Sequence, residues 1–118
     1  MADFGLFIGF GNPVRGRERQ AIRVFNEAVE YYTRLQQQGE IESFEPVFLE
    51  PHGGDLIGFT LVRGDRDKLA NIRTSEEFTR LTTRAGLIVE WFGVLGAQLS
   101  GQIAAQIGVY NEQLEELT

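Results

Sequence analysis

Cysteine is absent from this 118-residue chain, which excludes disulfides, thiolate nucleophiles, iron–sulfur clusters and cysteine zinc sites at once. Histidine occurs once, at His52, and lysine once, at Lys68. No motif sets two further ligands at helical or strand spacing beside His52, so neither a metal nor another cofactor is expected. No apolar run approaches the roughly 18 residues of a membrane span, and the Met-Ala-Asp-Phe start lacks the basic region of a secretory leader. The expectation is a cytoplasmic protein with no membrane partner. Positive charge is also scarce, with 11 Lys plus Arg against 17 Asp plus Glu, a net charge of −6 and a pI near 4.8. That balance repels phosphate backbones, so no nucleic acid is expected as a partner. Because every basic residue except Lys68 is an arginine, a local anion site built on planar guanidinium forks remains open.

What the chain does have is apolar bulk. It is 42% hydrophobic, with nine Phe, three Tyr and one Trp. This suits a single domain over residues 1–118, and one so small gains by burying more surface against a partner.

Residues 3–11 alternate, with Phe4, Leu6, Ile8 and Phe10 on one side and Gly5, Phe7 and Gly9 on the other, which predicts a strand that is apolar on both faces. Glu18 to Gln38 places Ile22, Phe25, Val29, Tyr32 and Leu35 on one stripe and ends at Gly39, an amphipathic helix. Residues 41–50 read as a strand, and Pro46 within it cannot donate to a ladder, so this strand belongs on a sheet edge. The turn Pro51–Asp55 leads to a strand over Leu56–Arg63, again apolar on both sides. A helix opens at Gly64-Asp65, breaks near Thr74 and restarts with Ser75 as cap, running to Ala85. Residues 87–99 read as the last strand. Residues 100–117, with Ile103, Ile107, Tyr110, Leu114 and Leu117 on one stripe, predict a C-terminal helix.

The resulting βαββαβ order, with right-handed crossovers, dictates an antiparallel sheet in the order 4-1-3-2 with both crossover helices on one face. The class is α+β, ferredoxin-like, with one added helix. An RNA-recognition domain shares this order, but Leu56-Ile57-Gly58-Phe59-Thr60-Leu61 offers one aromatic and no adjacent positive charge, and that reading is rejected. The second sheet face needs cover, from the C-terminal helix or from another copy of the chain.

The strand DFGLFIGFG, the hairpin around PHGGDLIGF, the broken helix with SEEFTRLT and the closing VEWFGVLG resemble the dimeric α/β-barrel superfamily of ferredoxin-like proteins across about residues 3–99. The resemblance is one of pattern and order, without a diagnostic catalytic motif. It implies a homodimer with two sheets face to face and a ligand cleft between sheet and helices or within the barrel. Relatives include cofactor-independent monooxygenases, lactone isomerases, stress-responsive proteins and haem-binding branches, so the resemblance implies architecture and leaves activity open.

The topology places the loop after the first strand, the Pro51–Asp55 turn and the start of the last strand at one end of the sheet. Asn12, Arg15, Arg17, His52, Asp55 and Glu90 converge there as candidates for a site. Phe7, Phe59 and Trp91, beside strand glycines, are candidate walls for an apolar body. Each has a plainer reading. The loop charges are solvated, His52 serves its glycine-rich turn, and the aromatics fill a core or an interface between sheets. Two functions follow. One is a homodimer that binds a small, partly apolar molecule. The other is a cofactor-independent enzyme in which Arg15 or Arg17 stabilises an anionic or enolisable substrate and His52, paired with Glu90 or Asp55, moves a proton.

Overall fold

A computed structural model describes residues 3–118. Its elements run β1 (Phe4–Phe10), α1 (Glu18–Gln37), β2 (Ser43–Phe48), β3 (Gly58–Gly64), α2 (Arg66–Arg73), α3 (Glu76–Ile88), β4 (Gly93–Gln98) and α4 (Ser100–Leu117). The four strands form one antiparallel sheet in the order β2-β3-β1-β4, the expected 4-1-3-2 arrangement counted from the other edge. Pro46 falls on the edge strand β2, where its missing N–H costs no interior ladder bond.

Alternation along the strands divides the side chains between two faces. Leu6, Ile8 and Val62 point into the core beneath the helices, together with Val24, Tyr31, Tyr32 and Leu35 of α1 and Phe78, Leu81 and Ile88 of α3. Two solvent-exposed ion pairs join α1 to α3 on the outer side of this core. Arg84 grips Glu27 with two bonds of 2.9 and 3.0 Å, and Arg34 pairs with Glu77. The break between α2 and α3 is held by Ser75, whose hydroxyl donates to the Ile72 carbonyl at 2.7 Å and accepts from Phe78 N–H at 3.3 Å. Asp65 caps α2 by accepting from Lys68 N–H.

Two expectations need correction, and one of two open alternatives closes. The buried stripe of α1 is Ala21, Val24, Tyr31, Tyr32 and Leu35, rotated from the predicted one, and Ile22 is 62% exposed. The last strand begins at Gly93 and not at residue 87. Although Leu87-Ile88-Val89 favours a strand locally, Ile88 continues the stripe of Phe78, Leu81 and Ala85 at three- and four-residue spacing, and packing on the core carries the helix through it. The strand that forms is correspondingly short. Lastly, α4 has the predicted bounds but covers neither sheet face, and none of its residues is buried.

Candidate functional site

The inner face of the sheet is not completely filled. A cavity of about 220 Å³ lies between α1, α3 and the sheet, at the end where β1 leaves and β3 and β4 enter. Small residues make the room, because Ala21 and Ala28 of α1 and Ala85 of α3 face the sheet where larger side chains would close the gap. Phe10, Phe25 and Phe48 form an aromatic cluster along one wall, with ring centroids 5.3 to 6.5 Å apart. Ile22 and Phe48 line the cavity and are 62% and 64% exposed, so they stand at its mouth.

Among the described residues, no charged side chain lines the cavity. Its polar side chains are the hydroxyls of Thr60, Tyr32 and Thr82, and Thr82 is already committed as a donor to the carbonyls of Phe78 and Thr79. Burial pushes the Tyr32 phenol far up from its ordinary value, with the neighbouring Tyr31 adding to the effect. Tyr32 is therefore a neutral hydroxyl at any physiological pH. Tyr31 is raised by burial as well.

The end of the sheet singled out from the sequence is the end where the cavity opens, and the backbone segments do meet there. Gly11 N–H donates to the Glu90 carbonyl at 2.7 Å, Glu90 N–H to the Asn12 carbonyl at 2.8 Å, and Ile57 N–H to the Phe10 carbonyl at 2.9 Å. Gly11 is required at this junction. A Cβ on it would lie 2.7 Å from the Glu90 carbonyl oxygen and 3.0 Å from that of Asp55.

The side chains behave differently from their backbones. Asn12, Arg15, Arg17, His52, Asp55 and Glu90 are all exposed, and none lines the cavity. His52 serves its own turn, with Nδ1 accepting from Gly54 N–H at 3.2 Å and Nε2 donating to the Leu56 carbonyl at 2.7 Å. Both ring nitrogens are thus engaged within the turn. Arg17 donates to the Leu87 carbonyl at 3.0 Å and so anchors the last turn of α3. Glu18 accepts backbone N–H bonds from itself and from Gly16, which hold its carboxyl below the usual range.

Phe7 and Phe59 stack at 4.8 Å on the outer face of the sheet, away from the cavity. Trp91 is 71% exposed and sits beside Gly11 with φ of 56°, a left-handed conformation that a bulky residue rarely adopts. The cavity walls themselves, Phe10, Phe25, Phe48 and Thr60 among them, were not foreseen as a site. The available signal was the seven-residue interval between Ala21 and Ala28, two small residues on the packing face of one helix.

The sheet order, the paired helices on one face and the cavity beneath them define a ferredoxin-like α+β protein. No family model and no curated protein matches the sequence. Solved structures do share the fold. One is a dimeric protein of unknown function and ferredoxin-like fold from Bacteroides fragilis, at TM-score 0.57 and 12% identity over 82% of this chain and 97% of that one. Another is a dabb family protein from Mesorhizobium loti, at TM-score 0.60 and 12% identity over 80% and 94%. A third is SnoaB, a cofactor-independent oxygenase from Streptomyces nogalater, at TM-score 0.53 and 16% identity over 84% and 97%. At these identities the likeness is one of fold.

Proposed function

We propose that this chain is a homodimeric binding protein whose cavity accepts a small, uncharged, largely apolar molecule. The observation that carries the reading is the cavity lining, which is apolar apart from a few hydroxyls and opens between the exposed Ile22 and Phe48. An apolar void of about 150 Å³ already accepts a benzene ring, so a substituted ring is the right scale for 220 Å³. The hydroxyls of Thr60 and Tyr32 supply one polar contact for a carbonyl or hydroxyl on the ligand. A carboxylate inside would be desolvated without a cationic partner, at a cost of several kcal/mol. The dimer forms through the outer sheet face, where Phe7, Phe59, Leu61 and Leu95 lie together.

Titration of the full chain with phenol and with benzoate, followed by the fluorescence of the single tryptophan beside Gly11, tests the cavity. Phenol is expected to bind at least tenfold more tightly, and Ala28→Phe, which fills the space, is expected to abolish the response while the far-UV spectrum stays unchanged. Equal binding by Ala28→Phe would reject the reading.

A second reading is an enzyme of the cofactor-independent oxygenase kind. It is favoured by the fold shared with SnoaB, which is such an oxygenase, and by the left-handed backbone at Trp91 beside the cavity end. On this reading Arg15 and Asn12, exposed on the loop whose Pro13 lines the cavity, hold an anionic group at the mouth, and His52 and Glu90 move the proton. Benzoate binding tighter than phenol, and lost in Arg15→Ala, would favour it.

A further inference from the structure

Helix α4 departs from the rest of the molecule. Each of the other helices buries at least two residues, whereas α4 buries none. The Cα radius of gyration is 16.3 Å and the long axis 52 Å, against roughly 13–14 Å expected for the radius of a compact chain of this length. By itself this helix has little reason to persist. It contains Gly101 and Gly108 and lacks a side-chain N-cap bond, and an isolated helix of this length is marginal in water even with good helix formers. A surface that stabilises it must come from elsewhere.

The spacing of its apolar residues says what kind of surface. Ile103, Ile107, Tyr110, Leu114 and Leu117 follow one another at intervals of 4, 3, 4 and 3 residues, the seam of a two-stranded coiled coil. All five are exposed, between 49% and 84%. The positions flanking that seam are Ala104, Gln106, Asn111 and Gln113, none of them charged. The charges of the helix, Glu112, Glu115 and Glu116, all fall on the far side. This distribution suits an identical helix. Flanks carrying one sign of charge would repel a second copy and select a complementary partner, whereas neutral flanks let two copies close together while the carboxylates stay in water. Val109 is the one large apolar residue off the stripe.

We propose that α4 pairs along this stripe with α4 of a second copy of the chain, forming a short coiled coil that locks a dimer already joined through its sheets. The pairing rests on the sheet-face dimer proposed above, because five apolar layers are too few to hold two chains alone, and a joined dimer presents the second helix at an effective concentration near millimolar.

The full chain is the right material for the test, since it contains no native cysteine. Tyr110 is the middle residue of the stripe, so it meets its own copy in a parallel pair, and in an antiparallel pair whose two-fold axis passes through it, at the spacing a disulfide spans. Under mild oxidation at micromolar protein, Tyr110→Cys is expected to cross-link at least tenfold more than Glu112→Cys, which lies on the far side of the helix. Adding Ile107→Asp and Leu114→Asp to Tyr110→Cys should remove that excess. Light scattering on the same reduced samples separates the two ideas. A dimer that cross-links equally weakly at both positions would overturn the α4 pairing and leave the sheet-face dimer standing. A monomer would overturn both, and cross-linked tetramers would overturn the placement of the helix pair within one dimer.

Discussion

Gly11 and Tyr32 show how much a single residue decides at this site. At Gly11 three chain segments come within van der Waals distance of one Cα, and the two atoms that a methyl group would strike are backbone carbonyl oxygens, which cannot rotate away as a side chain can. Gly11→Ala is therefore expected to destabilise the fold by about 2 kcal/mol, the range of overpacked interior positions, as read by urea unfolding. Tyr32 sets the alkaline limit. Its folded pKa is raised by burial, so its contribution to stability is fully present below the ordinary tyrosine value of about 10 and declines as the pH climbs past it towards the folded value. Urea midpoints measured from pH 8 upward should fall steeply above pH 10 in the wild type and much less in Tyr32→Phe. A residual slope is expected from Tyr31, whose phenol is raised as well. His52 belongs at this scale too. Both of its ring nitrogens are used within its own turn, and His52→Ala is expected to leave phenol binding within a factor of two by tryptophan fluorescence.

Between elements, local preference and tertiary packing disagree most clearly around residue 88. The run from Leu87 to Val89 has strand character, yet Ile88 is buried at the end of α3 and Val89 makes only an isolated bridge to Pro13. The register of an apolar stripe across a whole helix outweighs the propensity of three residues, because each stripe residue buried in the core contributes about 1.5–3 kcal/mol, whereas strand preferences span only about 1 kcal/mol. Where the signal is local chemistry, the reading holds. Ser75 restarts the helix with the bonds that a cap requires, and Ser75→Ala should cost about 1 kcal/mol, measured as a lowered midpoint of thermal unfolding with the strands still intact by infrared spectroscopy. The rotation of the α1 stripe has a similar origin. Ala21 and Ala28 carry little hydrophobicity, and a reading that weights large residues turns the face towards Ile22 and away from the small residues that border the cavity.

For the whole molecule the unfinished surface is the outer face of the sheet. Phe7 and Phe59 stack there half-buried, and Leu95 is 61% exposed, so a single copy leaves an apolar patch in water that a second copy can cover. Leu95→Arg adds a charge at a position already exposed in the single chain and should leave the fold intact. On the proposed sheet-face dimer, sedimentation velocity is expected to show the wild type as a dimer and this variant as a monomer near 13.3 kDa at the same concentration. A dimer of unchanged stability in Leu95→Arg would place the interface elsewhere.

The element order, the sheet order with Pro46 at its edge, the caps at Asp65 and Ser75 and the bounds of the last helix are all legible in the residues. Each of these rests on periodicity or on turn and cap chemistry, which act within a few residues. The end of the sheet where the three segments meet is legible too, because strand order alone sets that. Which side chains there face inward is set by packing between distant elements. Asn12, Arg15, Arg17, His52 and Glu90 lie at that end of the sheet, exposed and outside the cavity, with Arg17 and His52 bonded to backbone groups, while the cavity is bounded by Phe10, Phe25, Phe48 and Thr60 from separate elements. A cavity is the space left where small side chains on two helices oppose a sheet, a property of how layers pack rather than of any segment, and no local pattern reports it.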